Sequence, residues 1–359
     1  MGATSQAVVT PERIQQLAWG YAPPLMIEAA LHHGVFDLLD EGPKTVDEVA
    51  ARSGASVRGL RAVMNALAGL QLLTKDAEAR FGLTSDSAAF LVSTKPGFLG
   101  GLIQHTSTQL VPKWLALSEV VRTGRPASSV NQENVGAEFF HNFVEDIFPM
   151  SHPSAQRLAE ALEIAAANKP VSVLDLAAGS GVWGITLAQK SPRVTVTAVD
   201  WPGVLDVTRK VAARFGVAGR FSFVAGDLAS ADFGRGHDIA TLGHILHSEG
   251  EQRGRALLKK TFDALAPGGT IAIAEFLVDD GRTGPPVALI FAVNMLINTD
   301  EGDTWSFGEI AGWLREAGFR DPRTIDAPGP SPLILATKPS GGLSDISFEN
   351  QLRLRGGTI

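Results

Sequence analysis

One stretch restricts the fold of this chain more than any other. Leu174-Asp-Leu-Ala-Ala-Gly-Ser-Gly-Val-Trp-Gly carries Gly179, Gly181 and Gly184 in G-x-G-x-x-G spacing. It joins the apolar run Val171-Ser-Val-Leu-Asp-Leu to a helical pattern over residues 182–189. Glycines at such a junction let the backbone turn tightly and approach a ligand without a Cβ clash. A β-branched run, Val194-Thr-Val-Thr-Ala-Val-Asp, and a helix through Arg214 follow. Further strands are predicted at Phe221-Ser-Phe-Val, His237-Asp-Ile-Ala-Thr-Leu and Thr270-Ile-Ala-Ile-Ala-Glu-Phe. The alternation predicts an α/β fold with a doubly wound, mostly parallel sheet. Residues 322–326 and 332–337 are expected to add an antiparallel hairpin at its edge.

The first third reads differently. Ile14, Leu17, Ala18 and Tyr21 share a helical face, and residues 25–39 read as a second helix. Thr45 with Glu48 forms a capping-box pattern, and Ser56 opens a helix over residues 57–70. Gln71-Leu-Leu-Thr and Arg80-Phe-Gly-Leu-Thr then look like a two-stranded wing, giving a winged-helix order. The expected parts are a winged-helix-like domain at 1–121, a linker with a helical stretch at 122–168, a ligand-binding domain at 169–339 and a tail at 340–359.

Composition narrows the function. Residues 1–110 hold eight basic and ten acidic side chains, and the whole chain carries −7. DNA recognition needs several cations on one face, so a packing or dimerising role is preferred. The absence of cysteine excludes disulfides and thiolate chemistry. No run reaches the roughly 18 apolar residues that span a bilayer, and residues 287–297 read as a buried helix. Residues 1–10 show no secretory pattern, so a cytoplasmic location is expected.

The glycine turn suits a dinucleotide or S-adenosylmethionine equally. Asp200, ending the next strand, is placed for ribose hydroxyls. Asp175 lies just before the glycines, where it can orient the loop or meet an amino group. Asp227 in Ala225-Gly-Asp-Leu is placed for an adenine amine, and Leu265-Ala-Pro-Gly-Gly-Thr precedes the fifth strand. No Tyr-x-x-x-Lys motif for hydride chemistry is present. S-adenosylmethionine is therefore the preferred cofactor. Two histidines stand in Leu242-Gly-His-Ile-Leu-His-Ser-Glu, just past the fourth strand, where such sheets bind ligands. Histidine, with an ordinary pKa of about 6.5, suits removal of an acceptor proton.

With these motifs the chain resembles the small-molecule O-methyltransferases of the caffeic-acid and acetylserotonin type. Bacterial members of that family tailor polyketides, phenazines and bacteriochlorophylls. The likeness runs to about Lys338. It implies a winged-helix dimerisation domain, a C-terminal Rossmann-like catalytic domain, a homodimer and a small-molecule acceptor, with no nucleic acid or membrane partner and no metal. Ala177-Ala-Gly-Ser-Gly is similar to the family's glycine loop, and Ala177 is kept as a backbone contact provided its φ is negative. Asp200 with Trp201, and Asp227 with Leu228, match the ribose and adenine positions.

His247 matches the catalytic histidine and Glu275 the acid that orients it. His244 is assigned to packing or lining. The likeness also has departures: Ser248-Glu249 replaces Asp or Asn followed by Trp, and Gly243, retained on the cofactor side, replaces a frequent cation. Thr304 stands at the position of a second acid, with Asp303 and Glu301 nearby. The acceptor pocket is expected between the domains. Phe139, Phe140, Phe143, Phe148 and Met150 would line it from one helix, and Phe291, Asn294, Met295 and Asn298 from another. An apolar wall with amides suits a planar aromatic acceptor. Methylation of a hydroxyl is the preferred reading. The residues 245–269 are similar to the bacteriochlorophyllide C-20 methyltransferase branch, so methylation of a tetrapyrrole-like or aromatic carbon is an alternative. A SAM-binding non-methylating enzyme and a winged-helix regulator are the others.

Overall fold

The structure is a computed structural model that describes residues 9–130, 140, 143–329 and 331–340. The chain divides into two units, Met1–Pro112 and Lys113–Ile359.

The first unit is mainly helical. Thr45 caps the helix Val46–Ser53, accepting from the Glu48 N–H at 3.3 Å while Glu48 accepts from the Thr45 N–H at 2.7 Å. Ser56 caps the helix Val57–Gly69 through the Gly59 N–H. Strands β1 (Leu73–Lys75) and β2 (Phe81–Leu83) pair antiparallel, as the wing pattern predicts. Phe36, Val49, Met64, Leu67 and Phe81 form the core. The predicted helix over 25–39 is in fact two, Ala22–His32 and Val35–Asp40. Gly34 divides them with a left-handed φ of 65°, a conformation glycine adopts without steric cost. Ile14, Leu17 and Tyr21 stay exposed within this unit.

The second unit is built on a seven-stranded sheet whose members in chain order are β3 (Val171–Leu176), β4 (Val194–Asp200), β5 (Phe221–Ala225), β6 (His237–Gly243), β7 (Leu265–Ala274), β10 (Arg320–Ile325) and β11 (Leu333–Thr337). Across the sheet their order is β10-β11-β7-β6-β3-β4-β5. Two short strands, β8 (Leu277–Val278) and β9 (Trp305–Ser306), pair separately. Strands β3 to β7 run parallel, and β11 joins antiparallel between β7 and β10. Alternation along the strands splits the core: Val173, Ile239 and Ala272 pack on one face, and Leu174, Leu242 and Ile273 on the other. A sheet apolar on both faces requires helices on both.

Two expectations shift here. Leu265-Ala-Pro-Gly-Gly-Thr belongs to β7, because Leu265 pairs with His237 before a register shift. The helix Pro286–Asn298 is only half enclosed in this unit: Ala288, Met295 and Ile297 are buried, but Val287 and Ile290 are 53% and 60% exposed. Among the described residues no helix is long and apolar enough to cross a membrane. The strand order reverses direction where β3 meets β6, which opens a crevice at the carboxyl ends of the strands.

Candidate active site

The turn after β3 is built by its own hydrogen bonds. Gly181, at φ 76°, caps the helix Val182–Lys190, and a Cβ there would lie 2.9 Å from Thr208 Cγ2. Asp175 is fully buried: it accepts from the Gly184 N–H at 3.0 Å and from the Thr241 hydroxyl at 2.7 Å. Burial pushes its carboxyl up to about 7. Of the two uses open to Asp175, the geometry describes a brace for the turn. The condition set on Ala177 is not met. Its φ is 50°, a left-handed conformation that costs a residue with a Cβ about 1–2 kcal/mol.

Asp200 accepts from the Gly179 N–H at 2.9 Å and the Trp201 N–H at 2.7 Å. Burial raises its carboxyl to about 6, against the pull of those two hydrogen bonds. Thr208 donates to the Gly179 carbonyl at 2.7 Å, fixing the turn from the next helix. The Trp201 ring stands 6.3 Å from that of Phe140. Asp227 follows β5 and accepts from the Ala229 N–H at 2.8 Å. Leu228 packs its side chain into the core, and its carbonyl accepts from Lys260 at 2.8 Å. Two carboxylates and a glycine turn at one sheet edge suit the ribose, adenine and tail of an adenosyl cofactor.

Gly243 has a steric reason to lack a side chain. A Cβ would lie 1.9 Å from Trp183 Nε1, so the indole fills the volume a cation would need. Gly243→Ala is expected to destabilise the protein by about 1–3 kcal/mol through overpacking. An unchanged urea midpoint would mean that the indole swings aside freely.

His247 lies in the first turn of the helix Leu246–Ala264, just beyond β6, and Glu275 directly follows the adjacent strand β7. Their Nδ1 and Oε1 atoms are 2.7 Å apart, and Glu275 Oε2 accepts from the His247 backbone N–H at 3.1 Å. Both residues are buried. Burial opposes ionisation of Glu275, but the neighbouring His247 ring with its hydrogen bond, and the Phe276 N–H, outweigh it and hold the carboxyl below its ordinary value. An ionised Glu275 requires a proton on Nδ1, which leaves Nε2 with a free lone pair. The imidazole meets the Phe291 ring edge-on at 4.9 Å.

His244 is a separate matter. It adopts φ 60°, packs on Phe276 at 5.2 Å and pairs with the Ser331 hydroxyl at 2.9 Å. Burial drives its pKa down to about 4, so it is neutral at pH 7.

The segment around Thr304, marked in the sequence for a second acid, instead holds the main chain of His247. The Asp303 N–H donates to the His247 carbonyl at 2.9 Å, and Trp305 Nε1 donates to the Leu246 carbonyl at 3.1 Å. Just beyond, Gly250 breaks the helix at φ 73°, ψ 170°. Among the described residues the buried Thr304 hydroxyl has no hydrogen-bond partner. The Asp303 carboxylate turns to the Thr304 N–H at 2.7 Å and to Arg282 at 3.7 Å.

The helix Pro286–Asn298 carries Phe291, Asn294, Met295 and Asn298. Trp114 Nε1 donates to Asn294 at 3.0 Å, and Lys113 Nζ to Asn298 at 3.0 Å, while Met295 is buried. Desolvation lowers the Lys113 pKa. Phe148 does not join this group. It is buried in the core of the helix Phe148–Ala161, stacked on Phe215 at 4.9 Å, because an aromatic at helical spacing fills a core as readily as a pocket wall. Met150 lies half-buried on the same helix, and Phe139 falls outside the described residues. Among the described residues no cluster of His, Asp or Glu is arranged to hold a metal.

The profile of the O-methyltransferase domain matches residues 114–320, and that of the O-methyltransferase dimerisation domain matches residues 15–93. The chain is 31% identical to the 3-hydroxy-5-methyl-1-naphthoate 3-O-methyltransferase of Streptomyces sahachiroi, over 91% of this chain and 95% of that protein. It is 28% identical to the tetracenomycin polyketide synthesis 8-O-methyl transferase TcmO of Streptomyces glaucescens, over 92% and 97%. Human N-acetylserotonin methyltransferase, solved in complex with SAM, has a TM-score of 0.79 at 25% identity, covering 94% of this chain and all of that one.

Proposed function

Because the chain belongs to the O-methyltransferase family, with that family's dimerisation domain and S-adenosylmethionine as cofactor, we propose that it methylates a hydroxyl of a small aromatic natural product with His247 as general base. The observation that carries this reading is the buried 2.7 Å contact between His247 Nδ1 and Glu275.

Bound S-adenosylmethionine supplies a methyl group on a sulfonium that is already activated for transfer. The work of the protein is then to align the acceptor and take its proton. Glu275 fixes the imidazole tautomer and stabilises the charge His247 gains with that proton. Phe291 fixes the other side of the ring. Asn294 and Asn298, with Phe291 and Met295, form a stripe that suits a flat hydroxylated ring system. Relatives named for a hydroxynaphthoate and for tetracenomycin synthesis support a polycyclic phenol, whose hydroxyl presents an acidic proton to a histidine base before transfer. Residues 1–121 would dimerise, 122–168 contribute to the acceptor site, and 169–339 hold the cofactor. Gly179 and Gly181 shape the tight turn at the cofactor, Gly243 seats the Trp183 indole beside it, and Asp175 braces the turn. Asp200 with Trp201 serves the ribose side, and Asp227 with Leu228 the adenine. The test is incubation with methyl-labelled cofactor and a panel of hydroxynaphthoates. Methyl ethers support the reading, and ring-carbon methylation overturns it.

Asp200 gives a pH signature. Its folded pKa of about 6 lies above the ordinary 3.8. The protonated form is therefore favoured by folding, and that contribution is complete below about pH 3.8 and lost as pH rises through about 6. Ribose hydroxyls donate to the ionised form, so cofactor binding should expel a proton at acidic pH. Affinity is expected to rise up to about tenfold per pH unit below pH 6 and to level off above it. Asp200→Asn should bind about tenfold more weakly at pH 7.5 and lose the slope. Calorimetry from pH 5 to 8 decides this, and an identical slope in the variant would remove Asp200 from the ribose site.

A further inference from the structure

One charged network joins the cofactor edge of the sheet to the helix that carries His247. Arg253 lies on that helix just past its break at Gly250. Its Nε donates to Glu249 Oε2 at 2.7 Å, and its Nη2 stands 3.4 Å from both Oδ1 and Oδ2 of Asp227. The Glu249 side chain is only 11% exposed, so its charge needs a close cation. The two carboxylates therefore share the guanidinium, Glu249 at Nε and Asp227 at Nη2. Nη2, held in place by the Nε contact to Glu249, lies level with both Asp227 oxygens and restrains the carboxylate, which a flexible ammonium without that second anchor would do less well. Asp227 Oδ1 is already engaged by the Ala229 N–H at 2.8 Å. Among the described residues Oδ2 has only the long approach of Arg253, which leaves it open as an acceptor.

We propose that Arg253 is a positioning residue for the cofactor. It holds Asp227 so that Oδ2 accepts from the exocyclic amine of adenine, and Glu249, two residues after His247, anchors it. Ser248-Glu249, a departure from the family pattern, thereby gains a use: Glu249 is the fixed end of an arm that reaches the adenine side. The proposal rests on the reading of Asp227 as the adenine acceptor.

An amine at C6 can donate to Oδ2, whereas the carbonyl of hypoxanthine would face the carboxylate with a lone pair. The experiment is calorimetry of the full chain with S-adenosylhomocysteine and S-inosylhomocysteine. Wild type should prefer the adenosyl compound by about tenfold or more. Arg253→Ala should bind it about tenfold more weakly and lose most of the preference, and Arg253→Lys should recover part of both. The ratio of the two affinities is measured on one preparation, so a partly unfolded sample does not alter it. Arg253→Ala with the wild-type ratio, alongside Asp227→Asn without it, would show that Asp227 is set without Arg253 and overturn the proposal. Asp227→Asn with the wild-type ratio would instead remove the adenine reading, and the proposal with it.

Discussion

His247→Ala is expected to bind S-adenosylmethionine with near wild-type affinity while turnover falls by about 10²- to 10⁴-fold, the range of general acid–base catalysis. The reason is the one-sided environment of the ring. Nδ1 is held by Glu275 at 2.7 Å, so Nε2 alone is left to meet an acceptor proton. Alanine removes that acceptor atom without touching the glycine turn, Asp200 or Asp227, which lie beyond other strands. It also leaves the buried Glu275 carboxylate without its side-chain partner, and some loss of stability follows. His247→Asn, which keeps a donor toward Glu275, separates the two effects. Single-turnover rates at saturating cofactor decide the matter. If both variants stay within about fivefold of wild type, alignment alone drives transfer and His247 is no base.

Glu275→Gln is expected to lower turnover on the order of 10²- to 10³-fold, with cofactor affinity intact. The amide matches the shape of the carboxylate but not its three acceptances. Oε1 receives the His247 ring and the Phe276 N–H, and Oε2 receives the His247 N–H. Glutamine has one acceptor oxygen. If that oxygen faces the ring, an NH₂ group opposes the His247 N–H. In the opposite orientation the amide donates to Nδ1 and inverts the tautomer. Either arrangement also removes the negative charge that stabilises a protonated imidazole. A stability loss of about 1–3 kcal/mol should accompany the change, since one buried donor loses its partner. Turnover within a few-fold of wild type would make Glu275 a structural residue.

The parts of this site that could be read from the sequence share a position relative to the strands. Strand ends and glycines are local patterns, so the turn at 177–181, Asp200 and Asp227 were visible as neighbours of one sheet edge. His247 and Glu275 are 28 residues apart, yet each follows one of two adjacent parallel strands, and Gly243 pairs with Ala274. What escaped depends on side-chain volume and on distant partners. Nothing local places Trp183 in the space beside Gly243, because β3 and β6 must first pair. The hold of Asp303 and Trp305 on the first turn of the His247 helix runs through backbone carbonyls, which carry no sequence signature. The left-handed φ of Ala177 is a tertiary outcome as well. Gly34, by contrast, stood in plain view, and a helical periodicity that continued across it concealed the break.

His247 and Glu275 hang from the ends of β6 and β7, and Asp303 and Trp305 hold the first turn of the His247 helix by its main chain. The stripe Phe291, Asn294 and Asn298 rides on a different helix, whose Phe291 ring meets the His247 imidazole. Such separation makes the two inheritances independent. If the stripe is the acceptor wall and His247 the base, as proposed, a lineage could redraw that helix residue by residue and take a new acceptor without reinventing its base. Novelty at one helix would then leave the proposed chemical step intact.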